Sequence, residues 1–166
     1  MFATPPLGQI GAMSATAASR LIELPSLAAT EALAASVAAL ARTGDAILLE
    51  GVLGAGKSAF ARAFLRAASC DPVLEVPSPT FTLVQSYDTR IGMVHHFDLW
   101  RLDGPHGLAE LGWEEARGGV VLVEWPDRLG GLRPADALTV ALHPTGPDSR
   151  RASLSGWPDR LECLRC

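Results

Sequence analysis

A glycine-rich run in the first half of the chain has the residue types and spacing that bind phosphate groups. It reads Gly51-Val52-Leu53-Gly54-Ala55-Gly56-Lys57-Ser58 and fits the pattern G-x-x-x-x-G-K-[ST]. Glycines let the backbone N–H groups of a loop approach phosphate oxygens closely. Lys57, the only lysine in the chain, is a compact charge on a long stem, and Ser58 offers a hydroxyl to Mg²⁺. The run therefore predicts a loop that binds the phosphates of a nucleotide.

The segments on either side of the run are predicted to be the strand and the helix that such a loop needs. Residues 45–50, DAILLE, form a continuous apolar run of strand length, which is typical of a buried parallel strand. Residues 58–69, SAFARAFLRAAS, are predicted to form a helix. The N-terminus of that helix points its dipole at the same anion. This context favours a phosphate-binding loop over a chance match.

Two acidic residues at predicted strand ends are candidates for holding Mg²⁺ and for orienting an attacking water. Glu124 ends the apolar run VVLVE, and Asp98 ends VHHFD. In an open α/β sheet, such groups lie at the carboxyl ends of the strands. The pattern does not assign one role to each acid, so both assignments stay open. Trp125 follows Glu124 directly and is a candidate either to stack on a ligand or to pack.

The segment PSPTF, residues 77–81, lies between the predicted helix 58–69 and the next strand, where switch loops occur in nucleotide-binding proteins. Ser78 and Thr80 offer hydroxyls to Mg²⁺ or to the γ-phosphate. From these residues alone, a stiff proline turn explains the segment equally well. His95 and His96 are adjacent on a predicted strand and are expected to face opposite sides, which excludes their binding one metal ion together.

The order of the remaining elements predicts the framework that positions these residues. Strands are predicted at 19–24, 45–50, 81–87, 92–100, 118–125, 137–142 and 151–156, and helices at 27–42, 58–69 and 106–116, the last broken by Gly112. This alternation predicts a three-layer α/β fold with a mixed, mostly parallel central sheet. The last two strands are expected to be antiparallel edge strands. Residues 1–18 are predicted to be a disordered tail, and residues 19–166 a single domain.

Composition narrows the class of protein further. The chain has 166 residues and a formal net charge of −4, which argues against a broad nucleic-acid footprint and predicts no DNA partner. No apolar run reaches the length of a membrane span, so no membrane association is expected. Three cysteines do not make a secreted disulfide framework. A cytoplasmic enzyme or switch protein is therefore predicted.

Taken together, the motifs resemble the TsaE family, formerly YjeE, of small bacterial P-loop ATPases in tRNA threonylcarbamoyladenosine biosynthesis. The resemblance runs from Leu24 to Leu142, and its main segments are EGVLGAGKSAFARAFLRA, VPSPTFTLVQSYD, VHHFDLWRLD, ELGWEEA and VVLVEWPDR. The phosphate loop alone indicates only a superfamily. The ordered set S-P-T-F, H-F-D-L-[YW]-R and [LV]-V-E-W-P is far more specific.

The resemblance implies a P-loop NTPase fold with a mixed sheet and weak, Mg²⁺-dependent hydrolysis of ATP. It implies association with TsaD and TsaB. These proteins together support transfer of the threonylcarbamoyl group to adenosine 37 of tRNA, so this chain is expected to act on tRNA only indirectly, through the complex. Lys57, Asp98 and Glu124 are the implied catalytic residues. Ser58, Asp98 and Glu124 are the implied metal ligands, and the implied nucleotide contacts are residues 51–59, Thr80 and Trp125.

The chain departs from the family pattern G-D-L-G-A-G-K-T-T at two positions in the loop. Val52 stands where the family usually has Asp, and Ala59 stands where it has Thr. ATP binding is expected to survive, because Val52 occupies a variable position of the generic motif. Ala59 lacks a hydroxyl that could contact the α-phosphate. The two departures therefore bear on the rate of ATP turnover rather than on ATP binding. Arg101 is a candidate arginine finger in cis, and a partner residue is the alternative.

Two other functions fit part of the pattern. A small-molecule P-loop kinase usually carries an arginine-rich lid, and Arg128 and Arg133 are the only pair near the right region. A non-hydrolysing adaptor that binds nucleotide only to fold or to dock is the other alternative.

Overall fold

The two continuous apolar runs of the sequence form the centre of a seven-stranded sheet. The computed structural model describes residues 19–164. All five residues of Val120–Glu124 are buried, as are four of the five in Ala46–Glu50. Their side chains alternate between two apolar clusters, one on each face of the sheet. Because both faces of these two strands are buried, every position in them favours an apolar residue, which explains the continuous apolar runs in the sequence.

The sheet is mixed, as predicted, and its strand order is β1-β7-β6-β2-β5-β4-β3. The strands are β1 (Ser19–Leu24), β2 (Ala46–Glu50), β3 (Val84–Thr89), β4 (Gly92–Asp98), β5 (Val120–Glu124), β6 (Leu138–Pro144) and β7 (Arg150–Ser155). The parallel pairings are β6 with β2, β2 with β5, and β5 with β4. The other three pairings are antiparallel. The expectation of a mostly parallel sheet therefore holds only for the four central strands.

The prediction that the last two strands lie at the edge is wrong. β6 and β7 do pair antiparallel, but β6 is parallel to β2 and lies inside the sheet. β1 pairs with all six residues of β7 and covers its outer side. Among the described strands, the edges of the sheet are therefore β1, which pairs with β7, and β3, which pairs with β4.

Helices pack on both faces and give the predicted three layers. The longer helices, α1 (Leu27–Leu40) and α2 (Lys57–Ser69), share one apolar cluster with the short C-terminal helix, while the other face is covered by short pieces. The short elements are α3 (Trp113–Ala116), α4 (Pro158–Leu161) and 3₁₀ turns at Pro105–Leu108 and Pro126–Leu132. The predicted break at Gly112 is confirmed: its φ of 71° is left-handed, so the helix predicted over 106–116 is split.

β3 begins later than predicted, at Val84 rather than residue 81. Leu83 has a left-handed backbone, with φ 67°, and its N–H donates to the carbonyl of Pro79 over 2.6 Å. This turn holds Phe81 and Thr80 outside the sheet. The segment between α2 and β3 thereby reaches the carboxyl ends of the parallel strands.

The predicted disordered tail, residues 1–18, lies outside the described residues. Within residues 19–164, no helix is long and apolar enough to cross a membrane.

Candidate functional site

The glycine-rich run forms the loop between β2 and α2, in the strand–loop–helix arrangement that the sequence predicts. Gly51 has φ 145°, and a Cβ atom there would lie 2.6 Å from the backbone oxygen of Leu142. Only glycine fits this approach to β6. Gly56 is the N-cap of α2, with a left-handed φ of 105°. The first turn of α2, beginning at Lys57, therefore faces the space enclosed by the loop, with unpaired N–H groups typical of a helix start.

Lys57 folds back along the loop. Its Nζ donates hydrogen bonds to the backbone oxygens of Gly51, at 2.7 Å, and of Val52, at 2.9 Å. The same nitrogen lies 3.9 Å from the centroid of the Trp125 ring, a cation–π distance. Lys57 is only 5 % exposed, so its charge is already desolvated before any ligand arrives.

The electrostatic environment of Lys57 is set by that burial and by nearby acids. Burial lowers the pKa of Lys57 from its ordinary value of 10.5, while Glu124, Asp98 and Asp127 act in the opposite direction. Burial is the larger of these effects. A lysine in this setting gains the most from an anion that replaces its lost hydration.

Asp98 and Glu124 end neighbouring parallel strands and are register partners. Both are buried, at 5 % and 2 % exposure. Ser58 Oγ donates to Glu124 Oε2 over 2.9 Å, and Thr80 Oγ1 donates to Asp98 Oδ2 over 3.1 Å. The backbone N–H of Trp100 donates to Asp98 Oδ1 over 3.1 Å. The two predicted acids and the two predicted hydroxyls therefore meet at one place.

A cleft of about 330 Å³ opens over this cluster. Its lining side chains come from the loop, from both acids and from the two aromatic residues at its mouth: Leu53, Gly54, Gly56, Lys57, Ser58, Ala59, Ser78, Thr80, Asp98, Trp100, Glu124 and Trp125. Of the predicted phosphate-loop residues, Gly51, Val52 and Ala55 are not part of this lining. The first two give their carbonyls to Lys57, and Ala55 is fully buried.

Trp125 both packs and lines the cleft. It follows β5 in a left-handed conformation, with φ 59°. The centroid of its ring lies 4.3 Å from that of Trp100, with the two rings tilted by 47°, and the ring also contacts the Lys57 ammonium. The indole thus forms one wall of the cleft beside the phosphate loop.

Arg101, the candidate arginine finger in cis, stacks on Phe81. Its guanidinium carbon is 4.5 Å from the centroid of the Phe81 ring, and Phe81 is 83 % exposed. Arg101 is not among the residues that line the cleft.

Sequence reasoning missed three residues of this region, of which Trp100 lines the cleft. His96 Nε2 lies 2.9 Å from Glu124 Oε1, and the alternation of β4 was the available signal, because His96 and Asp98 are two residues apart and share a face. Arg150 donates from Nε to the carbonyl of Ala55 over 2.9 Å and from a terminal nitrogen to Gly54 over 3.3 Å. No local pattern predicts that Arg150 contacts the phosphate loop, since Arg150 lies on β7, far from the loop in sequence.

Comparisons with known proteins match this arrangement. The family model described as threonylcarbamoyl adenosine biosynthesis protein TsaE matches residues 24–152. Two proteins named tRNA threonylcarbamoyladenosine biosynthesis protein TsaE are similar to the chain. The one from Rickettsia felis is 36% identical over 126 residues, 75% of this chain and 73% of that protein. The one from Bacillus subtilis is 33% identical over 137 residues, 81% and 84% of the two chains.

The fold is also similar to a solved structure. The crystal structure of Bacillus subtilis YdiB superposes with a TM-score of 0.73 at 27% sequence identity, covering 91% of this chain and 94% of YdiB. The predicted P-loop NTPase fold is confirmed by this likeness together with the strand–loop–helix unit. The matched segment includes the phosphate loop, Asp98 and Glu124. This chain is therefore a member of the TsaE family, as its motifs indicate.

Proposed function

We propose that this chain binds and hydrolyses ATP with Mg²⁺ as a subunit of the bacterial machinery that makes N6-threonylcarbamoyladenosine at position 37 of tRNA. The pathway is the one named for its relatives. The hydrolytic role is carried by one observation: Lys57 and Ser58 of the phosphate loop line the same cleft as two buried acids. Phosphate-binding and metal-binding groups together define the chemistry of an NTPase.

The residues present fit Mg²⁺. Ser58 Oγ and the carboxylates of Asp98 and Glu124 are hard oxygen donors, which Mg²⁺ prefers. Mg²⁺ commonly binds through one or two carboxylates with phosphate oxygens completing its shell. When bound, it neutralises charge on the phosphates of the nucleotide. Ser58, Asp98 and Glu124 are therefore proposed as its ligands, with one acid also orienting the attacking water.

Each residue has a defined task in this proposal. Lys57 exchanges its two carbonyl partners for phosphate oxygens and supplies positive charge as the terminal phosphate leaves. Thr80 donates a hydrogen bond to Asp98, so the position of the 77–81 segment depends on whether Asp98 is free or holds a ligand. Trp125 shields the lysine side of the cleft from water. Ser58 and Thr80 already contact the two acids before ATP binds, which lowers the cost of ordering those acids.

A second cleft supports a nucleotide rather than free phosphate. It measures about 220 Å³ and shares Gly56 and Ala59 with the first cleft. Its other lining residues come from α1, the β6–β7 turn and the start of β7: Leu27, Thr30, Pro147, Asp148 and Arg150. The two clefts flank the start of α2, so a ligand with phosphates in one has room for its nucleoside in the other.

The partners proposed from the family resemblance are TsaD and TsaB, and the chain is proposed to act on them as a nucleotide-driven switch in the cytoplasm. The test is a pull-down of the chain with TsaD and TsaB, with and without ATP and Mg²⁺, with released phosphate measured in the same tubes. ATP-dependent capture and phosphate release are expected. Capture without phosphate release, even in the full complex, would leave a non-hydrolysing adaptor.

A small-molecule kinase is less well supported. Of the two candidate lid arginines, Arg133 donates hydrogen bonds to Glu50 Oε1 at 2.5 Å and to Thr139 Oγ1 at 3.1 Å. These contacts hold its guanidinium against the sheet. Product analysis separates the two activities, since a kinase yields a phosphorylated metabolite and the proposed ATPase yields free phosphate.

A further inference from the structure

His96 occupies a core position on β4. It lies between Val94 and Asp98 on the strand face that packs towards α1 and α2, and it is 1 % exposed. Its register partner on β5, Leu122, belongs to the same apolar cluster. A polar ring in such a place has lost its hydration and needs internal partners to offset the cost.

The two nitrogens of His96 are treated unequally. Nε2 lies 2.9 Å from Glu124 Oε1. Nδ1 is buried and has no hydrogen-bond partner among the described residues. A carboxylate only accepts hydrogen bonds, so Nε2 carries the proton and donates it. Nδ1 is then left with a lone pair, which is tolerated unpaired more readily than an N–H group. The geometry points to the Nε2–H tautomer.

The Glu124 carboxylate is thereby held at both oxygens. His96 donates to Oε1 from within the core, and Ser58 donates to Oε2 from the first turn of α2. Two donors on different segments fix the rotation of a carboxylate that either one alone would leave free. His96 itself does not line the cleft, so it reaches the reaction only through Glu124.

We propose that His96 is a positioning residue that orients the Glu124 carboxylate, so that Oε2 faces Ser58 and the cleft. This inference rests on the proposed ATPase function and adds a determinant of metal affinity and turnover to it. Partners of metal-binding or catalytic groups commonly change metal affinity or activity by about 10–100-fold when they are removed.

A purely structural histidine would behave differently. The unpaired Nδ1 costs stability, because a buried polar atom without a partner loses its hydration and gains nothing in return. An apolar side chain of similar volume removes that cost. The same substitution leaves the buried Glu124 Oε1 without its donor, which lowers stability, so the melting temperature alone does not separate the two roles. If His96 serves Glu124, an apolar substitution lowers turnover. If His96 serves only packing, turnover is unaffected.

The experiment compares His96→Met with His96→Gln in the full chain, assayed with TsaD and TsaB. Methionine fills the volume without a donor, whereas glutamine presents a side-chain N–H near the position of Nε2. We expect His96→Met to release phosphate about 10–100-fold more slowly and to need more Mg²⁺ for half-maximal rate. ATP affinity at saturating Mg²⁺ should stay within about threefold. His96→Gln should recover most of the rate. A parent-like rate in His96→Met, or equal losses in both variants, would overturn the proposal.

A second measurement does not depend on hydrolysis. The chain has four histidines, so ¹⁵N NMR of the imidazole rings is tractable, and the His96 signals are those absent from His96→Gln. We expect an Nε2–H proton that exchanges slowly with water and becomes exposed to exchange in Glu124→Ala. An Nδ1–H tautomer would overturn the assignment. If the parent releases no phosphate even with TsaD and TsaB, the ATPase proposal fails, while this signal still decides whether His96 holds Glu124.

Discussion

Asp98 and Glu124 are register partners across the parallel strands β4 and β5, and each carboxylate accepts a hydrogen bond from a hydroxyl on a different segment of the chain. Glu124 is tied to Ser58 at the start of α2, and Asp98 is tied to Thr80 in the 77–81 segment. The two acids therefore connect the phosphate loop to the segment that resembles a switch. Loss of either hydroxyl therefore removes a hydrogen bond from one of the two carboxylates.

Removal of the Lys57 charge should abolish nucleotide binding. Lys57→Ala is expected to weaken ATP binding by about 100-fold or more, since charge-assisted hydrogen bonds contribute roughly 1.5–3 kcal/mol each. Fluorescence titration with an ATP analogue measures this directly. Arg62→Ala is the matched control, because Arg62 is an exposed cation on the same helix. Normal ATP affinity in Lys57→Ala would contradict the assignment of the loop.

The acids should separate binding from hydrolysis. Glu124→Gln retains the side-chain volume and is expected to bind ATP at saturating Mg²⁺ while releasing phosphate about 100-fold more slowly. Asp98→Asn provides the comparison. We expect the larger rise in Mg²⁺ requirement for Glu124→Gln, because its carboxylate contacts Ser58. A larger rise for Asp98→Asn would assign the metal to the other acid.

Arg150 should stabilise the phosphate loop from outside the motif. Its guanidinium bonds the backbone oxygens of Gly54 and Ala55. Arg150→Met is expected to weaken ATP binding by about tenfold, since a hydrogen bond from a charged group is worth roughly 1.5–3 kcal/mol. Its neighbour Arg151 pairs with Glu23 on the surface, at 51 % and 66 % exposure, so Arg151→Met should have little effect. Equal effects of both substitutions on isothermal titration would argue against the anchoring role.

The two departures in the loop should have unequal consequences. Ala59 lines both clefts, so Ala59→Thr adds a hydroxyl within reach of a nucleotide, and ATP affinity is expected to rise by about threefold. Val52 is 64 % exposed and does not line the phosphate cleft, so Val52→Asp should change affinity by less than about threefold. Isothermal titration of both variants with ATP and Mg²⁺ measures the two affinities and tests the order. A larger gain from Val52→Asp would reverse this interpretation.

His95 should make the fold less stable in mild acid. Burial lowers the pKa of His95 from its ordinary value of 6.5. The unfolded chain therefore takes up a proton at higher pH than the folded chain does. Stability falls as the pH drops below 6.5 and stops falling once the folded protein is also protonated. His95→Gln should flatten this part of the profile in urea unfolding at pH 7.5 and at lower pH. An unchanged slope would show that His95 is not the group responsible.

Local patterns determined a large part of the site. The glycine run, its single lysine, the apolar strand before it and the helix after it placed the phosphate loop correctly. Strand-end acids placed Asp98 and Glu124 at one edge of the sheet, because parallel strands end together. The residues of the 77–81 segment fit a proline turn and a switch loop equally well, and its contacts with Asp98 appear only in the folded chain.

The tertiary structure decided what depends on distant segments. Spacing does not reveal that β1 pairs with β7, that Arg150 reaches the phosphate loop, or that Arg101 stacks on Phe81. The partner of His96 is separated from it by 28 residues, and only the pairing of β4 with β5 brings the two side chains together. Sequence determines which groups are present and which way each strand faces. Packing determines which of those groups meet, because burial and strand order are properties of the whole sheet.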